Sequence, residues 1–301
     1  MACIERRNLN AGLFLLILSD WKLNRETFQP EEAKVKTIIP VVKIIVATHK
    51  KYQMPEDTMY LPVQVGAEGR PDLGYVRDNT GDNISLKNPS FCELTGLYWA
   101  WKNLKADYIG LVHYRRHFGK KEKESLNGVL LSQQLYPLLQ KYKIFVPRKR
   151  RYYIETLYSH YAHTHYAEQL DETEKIIRKK YPSYLSSYQR VIKQTYGYMF
   201  NMMIMEKQYF DEYCTWLFDI LFELEKTIKA PELSRFQGRF YGRISEIIFN
   251  VWLDEMIQSG KLDKKAIKEL PYFHVENINW FKKGTAFLQA KFAHKKYESS
   301  F

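Results

Sequence analysis

Two histidines and two arginines crowd the end of one apolar run. In ADYIGLVHYRRHFGK, residues 106–120, Tyr108 to Val112 lead without a break into His113, Tyr114, Arg115, Arg116 and His117. Apolar runs of this length form core strands of parallel or mixed sheets. Such a strand end aims fixed positive charge at one point. A guanidinium suits phosphate, because its planar fork offers paired donors and stays charged at any relevant pH. The alternative is a solvated strand end whose arginines pair with nearby carboxylates.

Four further groups could do chemistry. DNTGDNIS, residues 78–85, places Asp78, Asn79, Asp82 and Asn83 around Gly81. It could hold a hard cation or hydrogen-bond a ribose. The twelfth position counted from Asp78 is Pro89 rather than the closing Glu of a calcium loop, and Asx-rich loops are commonly plain turns. SHYAHTH supplies His160, His163 and His165. A zinc site needs them to converge with a further ligand; a histidine-rich, partly exposed helix start is the simpler account. Glu246 in GRISEIIFNVW is the only acid between Ser234 and Val251. A carboxylate on the apolar first turns of a helix can have a raised pKa and serve as a general base, or it can pair with Arg243. Lys141 to Arg151 holds six Lys or Arg and no acid, a loop suited to nucleic acid, to anionic lipid or simply to water.

The elements that must position these groups alternate. VVKIIVATHKK, 41–51, is a β-branched strand ending in Thr48, His49 and Lys50. TMYLPVQVGAEG adds a short strand and a glycine turn. NPSFCELTGLYWAWKNL, 88–104, is predicted as one helix with Pro89 in its first turn, and the strand at 107–113 follows. This β–loop–helix–β order predicts an α/β sheet with a ligand crevice at the strand ends. Beyond it, the pattern predicts a strand in YKIFVP, helix over 166–194 broken at Pro182, a strand at 198–207, helices at 208–228 and 240–257, and a basic, irregular tail from 260.

Bulk properties bound the function. The 301 residues carry a formal net charge of +12 and 23 tyrosines. Basic chains are drawn to polyanions, phosphorylated small molecules among them. Tyrosine suits contact with sugars or bases, since the ring stacks while the hydroxyl bonds. Three distant cysteines with no CxxC pair suggest a reducing compartment and argue against a cysteine zinc site. AGLFLLIL, 11–18, looks like a short signal-peptide core, but no small-residue cleavage site follows. A docked helix or a peripheral stretch is the expectation there.

Taken together, KIIVATHK, VGA, DNTGDNISLKNPSFCELTGLYWAWKN, DYIGLVHYRRHF, NMMIMEKQYFDEYCTWLFDILFELE and GRISEIIFNVWL resemble a family of bacterial capsular and exopolysaccharide glycosyltransferases, long catalogued as a domain of unknown function. The resemblance runs over about residues 43–255. It implies a single catalytic α/β domain with a GT-A-like, Rossmann-type mixed sheet flanked by helices. Residues 1–40 would be an N-terminal extension, 41–260 the transferase domain and 261–301 a basic tail packing on it. The implied donor is a UDP-linked hexose, galactose or galactofuranose first, and the acceptor a lipid-linked or other oligosaccharide. Thr48, His49, Lys50, Asp78, Asp82 and Asn83 would bind the nucleotide. His113, Arg115 and Arg116 stand where many GT-A enzymes carry an Asp-x-Asp metal motif, and would hold the diphosphate instead. Glu246 would be the base of an inverting transfer. Tyr98, Trp99 and Trp101 are core candidates, any of which could stack on a sugar. No metal site is assigned, though Asp78 and Asp82 could recruit Mg²⁺ or Mn²⁺. The expected location is cytoplasmic, with peripheral contact at the inner face of the cell membrane and no nucleic-acid partner. The competing classes are a non-catalytic module for nucleic acid or anionic membrane, and a zinc hydrolase built on the three histidines.

Overall fold

The computed structural model describes residues 39–120 and 126–276. The chain divides at Ile39/Pro40. The expectations for 11–18 and for the tail past 276 lie outside the described residues. In chain order the strands are β1 (Val42–Thr48), β2 (Tyr60–Gln64), β3 (Val76–Arg77), β4 (Tyr108–His113), β5 (Arg116–Phe118), β6 (Ile144–Pro147), β7 (Arg150–Arg151), β8 (Tyr196–Gly197), β9 (Met203–Glu206), β10 (Ile267–Leu270) and β11 (Tyr272–His274). The helices are α1 (Asn88–Phe91), α2 (Leu94–Asn103), α3 (Ser132–Leu139), α4 (Leu157–Thr164), α5 (Glu168–Lys180), α6 (Leu185–Val191), α7 (Lys207–Thr227) and α8 (Phe240–Gln258).

The main sheet has the order β10-β6-β9-β4-β1-β2-β3, and β5 and β11 pair beside the end of β4. β1 is parallel to β2 and β4, while β9 runs antiparallel between β4 and β6. The buried run of β1 alternates. Ile45 and Ala47 join the core under α2, α7 and α8, whereas Val42, Ile44 and Val46 join the second core, on the α3 face. Burial on both faces is why β1 and β4 look uniformly apolar. Gly110 of β4 has a structural cause: a Cβ there would lie 2.9 Å from the Met203 carbonyl oxygen, so only glycine admits β9 at this distance.

Three expectations change. The single helix over 88–104 is two, broken at Cys92, whose φ of 55° is left-handed. Propensity favours one helix, but the Asn88 side chain donates to the Cys92 carbonyl and to Thr95 Oγ1, closing the first segment early. The strand over 198–207 shrinks to Met203–Glu206, because Phe200 and Asn201 adopt φ of 78° and 52° and form a turn. The tail after 260 is not irregular throughout: β10 extends the sheet beside β6, and β11 pairs with β5.

Candidate active site

The C-terminal end of β4 and the start of β5 open into a cleft of about 310 Å³, walled opposite by α4 and the first turns of α8. β4 ends at His113, and the chain turns at once through Tyr114 and Arg115 into β5. Arg116 is therefore on a strand, fixed from both sides. Its Nε donates to His274 Nδ1 of β11 at 3.4 Å, and its guanidinium lies 3.8 Å from the Phe200 ring centre. Arg115 is exposed, with a guanidinium 3.7 Å from the Glu276 carboxylate. Lys50 reaches the same carboxylate at 3.8 Å, and the Tyr52 hydroxyl donates to it at 3.2 Å. A carboxylate thus sits between Arg115, expected to hold the diphosphate, and Lys50, expected to bind the nucleotide.

Arg150, Arg239 and Arg243 line the same cleft, against two carboxylates among the described residues, Glu93 and Glu246. This field acts on the histidines. His113 is held well below its ordinary pKa, by burial first and then by Arg116 and Arg115. His49 is lowered by burial, Arg115 and Lys50. Both rings are therefore neutral at pH 7, and the positive charge belongs to the arginines.

Glu246 moves the other way. Burial pushes its pKa up to about 7, with the neighbouring Glu93 charge adding to the rise. The Phe200 N–H, which donates to the carboxylate, opposes the rise together with Arg116 and Arg150. The left-handed turn at Phe200 and Asn201 aims that N–H. It costs backbone strain, and the Asn201 side chain holds it. Asn201 Nδ2 donates to Glu93 at 2.7 Å and to the Gly242 carbonyl at 3.0 Å, while its oxygen accepts from Ser245. One buried amide thus ties the turn, the start of α2 and the start of α8 around Glu246. A carboxyl titrating near neutrality beside fixed cations can accept a proton during a reaction that builds negative charge.

The nucleotide candidates divide. His49 and Lys50 are exposed at the strand end, whereas Thr48 is fully buried, its Oγ1 closing the turn by donating to the Lys50 carbonyl. Asp78 is also fully buried. Its carboxylate accepts from Gly66 N, Ala67 N, Ser85 Oγ and Thr95 Oγ1 at 2.5–2.9 Å. Asp78, expected to contact uridine or ribose, is placed beneath the Gly66–Ala67 turn, with its carboxylate engaged by protein donors. Asp82 accepts from the Tyr98 hydroxyl at 3.1 Å, and Asn83 closes its own turn against Gly81 and Ser85. Tyr98 and Trp99 are buried, as core residues are, and Trp101 stacks on Phe218.

The three histidines do not all converge on one point. His160 and His163 each engage Glu155 through Nδ1, at 2.7 and 2.6 Å, and His165 turns to Gln237. They run from the first turn of α4 (His160) through its last turn (His163) to its C-cap (His165), and Thr156 caps its start. Among the described residues no group of three His, Cys, Asp or Glu is arranged to hold a metal ion. Sequence reasoning missed Glu93, Asn201, Arg239 and Glu276, and read Arg150 only as part of the basic loop. Asn201 carried a signal, being a polar residue inside an apolar run; Glu93, Arg239 and Glu276 carried none.

Residues 43–258 match the family profile described as "Domain of unknown function (DUF4422)". The chain belongs to the DUF4422 family. That span holds β1 to α8, so in this DUF4422 chain Glu246 and the arginine strand end lie within the family region, while β11 and Glu276 follow it. Among solved structures, the apo form of WbbM, a bifunctional glycosyltransferase, aligns with a TM-score of 0.73 at 32% identity. The alignment covers 79% of this chain and 46% of WbbM, so the chain matches about half of that protein's length. No curated protein matches. The fold of this DUF4422 member is the GT-A-like one that the sequence resemblance implied, a central mixed sheet flanked by helices. A divalent ion does not fit Asp78 as it stands, since four protein donors saturate its carboxylate; Asp82 is exposed and accepts from Tyr98 with one oxygen. No helix among the described residues is long and apolar enough to cross a membrane.

Proposed function

We propose that the protein is a glycosyltransferase that moves a hexose, galactose or galactofuranose first, from a UDP-sugar to a saccharide acceptor in capsular or surface polysaccharide synthesis. One observation carries the reading. Glu246, with a pKa pushed up to about 7, shares a cleft at the strand ends with Arg116 and four other arginines. The likeness to WbbM supports the same class of reaction.

In this reading the nucleotide lies over the ends of β1 and β2, against His49 and Lys50. Thr48, Asp78 and Asn83 act on it only by shaping the loops around it, and Asp82 stands at the rim. The diphosphate takes the place of the Glu276 carboxylate beside Arg115 and Lys50, with His113 and Arg116 deeper in the cleft. Glu246 removes the proton from an acceptor hydroxyl. The oxygen attacks the anomeric carbon as the bond to the diphosphate breaks, and the departing electron pair stays with UDP. Fixed guanidinium charge stabilises the negative charge that grows on the leaving group. Attack opposite the leaving group inverts the anomeric centre. The acceptor is lipid-linked or another oligosaccharide.

The test is thermal unfolding against UDP, GDP, TDP and CMP, with and without Mn²⁺. A ligand at 100 times its dissociation constant stabilises a protein by about 2.7 kcal/mol. A shift with UDP, followed by release of UDP from UDP-galactose when acceptor is added, supports the reading. No shift with any nucleotide in a folded sample defeats it and favours a polyanion-binding module.

A further inference from the structure

The basic loop singled out in the sequence ends in a feature that the proposed chemistry does not use. β7 alternates in the manner of a strand. Arg150 and Tyr152 turn inward and line the cleft, while Arg151 and Tyr153 face solvent, as does Arg148 ahead of the strand. Tyr153 then adopts φ of 58°, and the Ile154 N–H donates back to the Tyr152 carbonyl at 2.7 Å, a tight three-residue turn. The turn throws two adjacent apolar side chains outward: Tyr153 is 81% exposed and Ile154 73%. A tyrosine in the left-handed region is strained, and here the strain exposes apolar surface instead of burying it. Strain of this kind, held where packing gains nothing from it, points to a function for the exposed groups.

Charge decides what meets them. Among the described residues, none of Arg148, Lys149, Arg150 and Arg151 forms an ion pair with a carboxylate. The loop is held at its base, where Arg148 N donates to the Leu270 carbonyl and Tyr152 N to Thr195, so it presents a fixed shape. Cationic residues beside an exposed aromatic and an aliphatic side chain are what an anionic lipid surface binds. The cations meet the headgroups, at roughly fivefold in affinity for each basic residue near the surface. The tyrosine and isoleucine enter the interfacial layer. We propose that residues 148–154 dock on an anionic lipid bilayer, with Tyr153 and Ile154 inserted at the headgroup level. Because Arg150 and Tyr152 of the same segment line the cleft, docking sets its mouth at the membrane. That consequence for a lipid-linked acceptor rests on the function proposed above; the docking does not.

The test uses the full chain carrying Cys3→Ser and Ile154→Cys, labelled at residue 154 with an environment-sensitive fluorophore. The probes are vesicles of phosphatidylcholine alone and with about one-third phosphatidylglycerol, an anionic surface of the kind that recruits basic clusters. The expected result is a blue shift and brominated-lipid quenching with the anionic vesicles only. Adding Arg148→Gln and Arg151→Gln should weaken that response by about tenfold or more. An unchanged spectrum overturns the proposal. So does a probe buried by self-association without vesicles, which would make the loop a protein contact. UDP-induced stabilisation is measured on the same samples. Insertion without a UDP response sinks the transferase reading alone, and a UDP response without insertion sinks the docking alone.

Discussion

Arg115 and Glu276 face each other across 3.7 Å, and Lys50 approaches the same carboxylate at 3.8 Å. The two cations come from the ends of neighbouring parallel strands, and the anion comes from just beyond β11. All three side chains are about half exposed, so the contact is weak: exposed pairs are worth about 0–1 kcal/mol. A diphosphate with more charge and more acceptor oxygens can displace it.

Glu276→Ala should therefore tighten UDP binding, by up to about fivefold if the full worth of such a pair is recovered. Arg115→Ala should weaken it by tenfold or more, the scale of one charge-assisted hydrogen bond. Isothermal titration of both variants decides the matter. Equal affinity in all three proteins would place the diphosphate elsewhere.

Glu246→Gln should lower kcat by about 10²–10⁴ while leaving UDP affinity unchanged or tighter. In the wild type, kcat/KM should rise with pH and level off above about 7, as Glu246 loses its proton. A pH profile flat from 5 to 8 would remove it as the base.

The same shift has a stability consequence of opposite sign. A carboxyl whose folded pKa is raised holds an extra proton in the folded state between its ordinary value and about 7. Its contribution to stability therefore falls as pH rises across that window. Glu246→Gln should melt higher than wild type at pH 8 and gain much less at pH 5. Equal gains at both pH values would mean that the Glu246 pKa is not raised.

Asp78→Ala should lower stability by about 3 kcal/mol or more, because four donors lose a buried charged acceptor. Calorimetry measures it. A change under about 0.5 kcal/mol, within the range of ordinary surface substitutions, would contradict the scaffold role.

Gly110→Ala should cost about 1–3 kcal/mol, the usual scale of overpacking, since its Cβ would press on the Met203 carbonyl and on Ile204. A melting temperature equal to wild type would show that β9 yields freely.

The sequence by itself determined β1, β4, α7 and α8, and with them the sheet class and the two ends of the cleft. Uninterrupted β-branched runs are stable only when buried on both faces, and a 3.6-residue apolar period only on a helix. It also determined that Arg115, Arg116 and Glu246 stand at element ends. Spacing is local information, and a strand or helix end can be read from it. What surrounds those residues is not local. Glu93 comes 108 residues before the Asn201 amide that holds it, and Glu276 follows Lys50 by 226. Only packing brings such groups within hydrogen-bond or ion-pair distance. Asp78 shows the limit from the other side. Its type and loop suggested a ligand contact, but folding surrounded its oxygens with backbone and hydroxyl donors. The raised pKa of Glu246 was decided in the same way, because burial and a neighbouring carboxylate are properties of the assembled cleft and not of the helix that carries the residue.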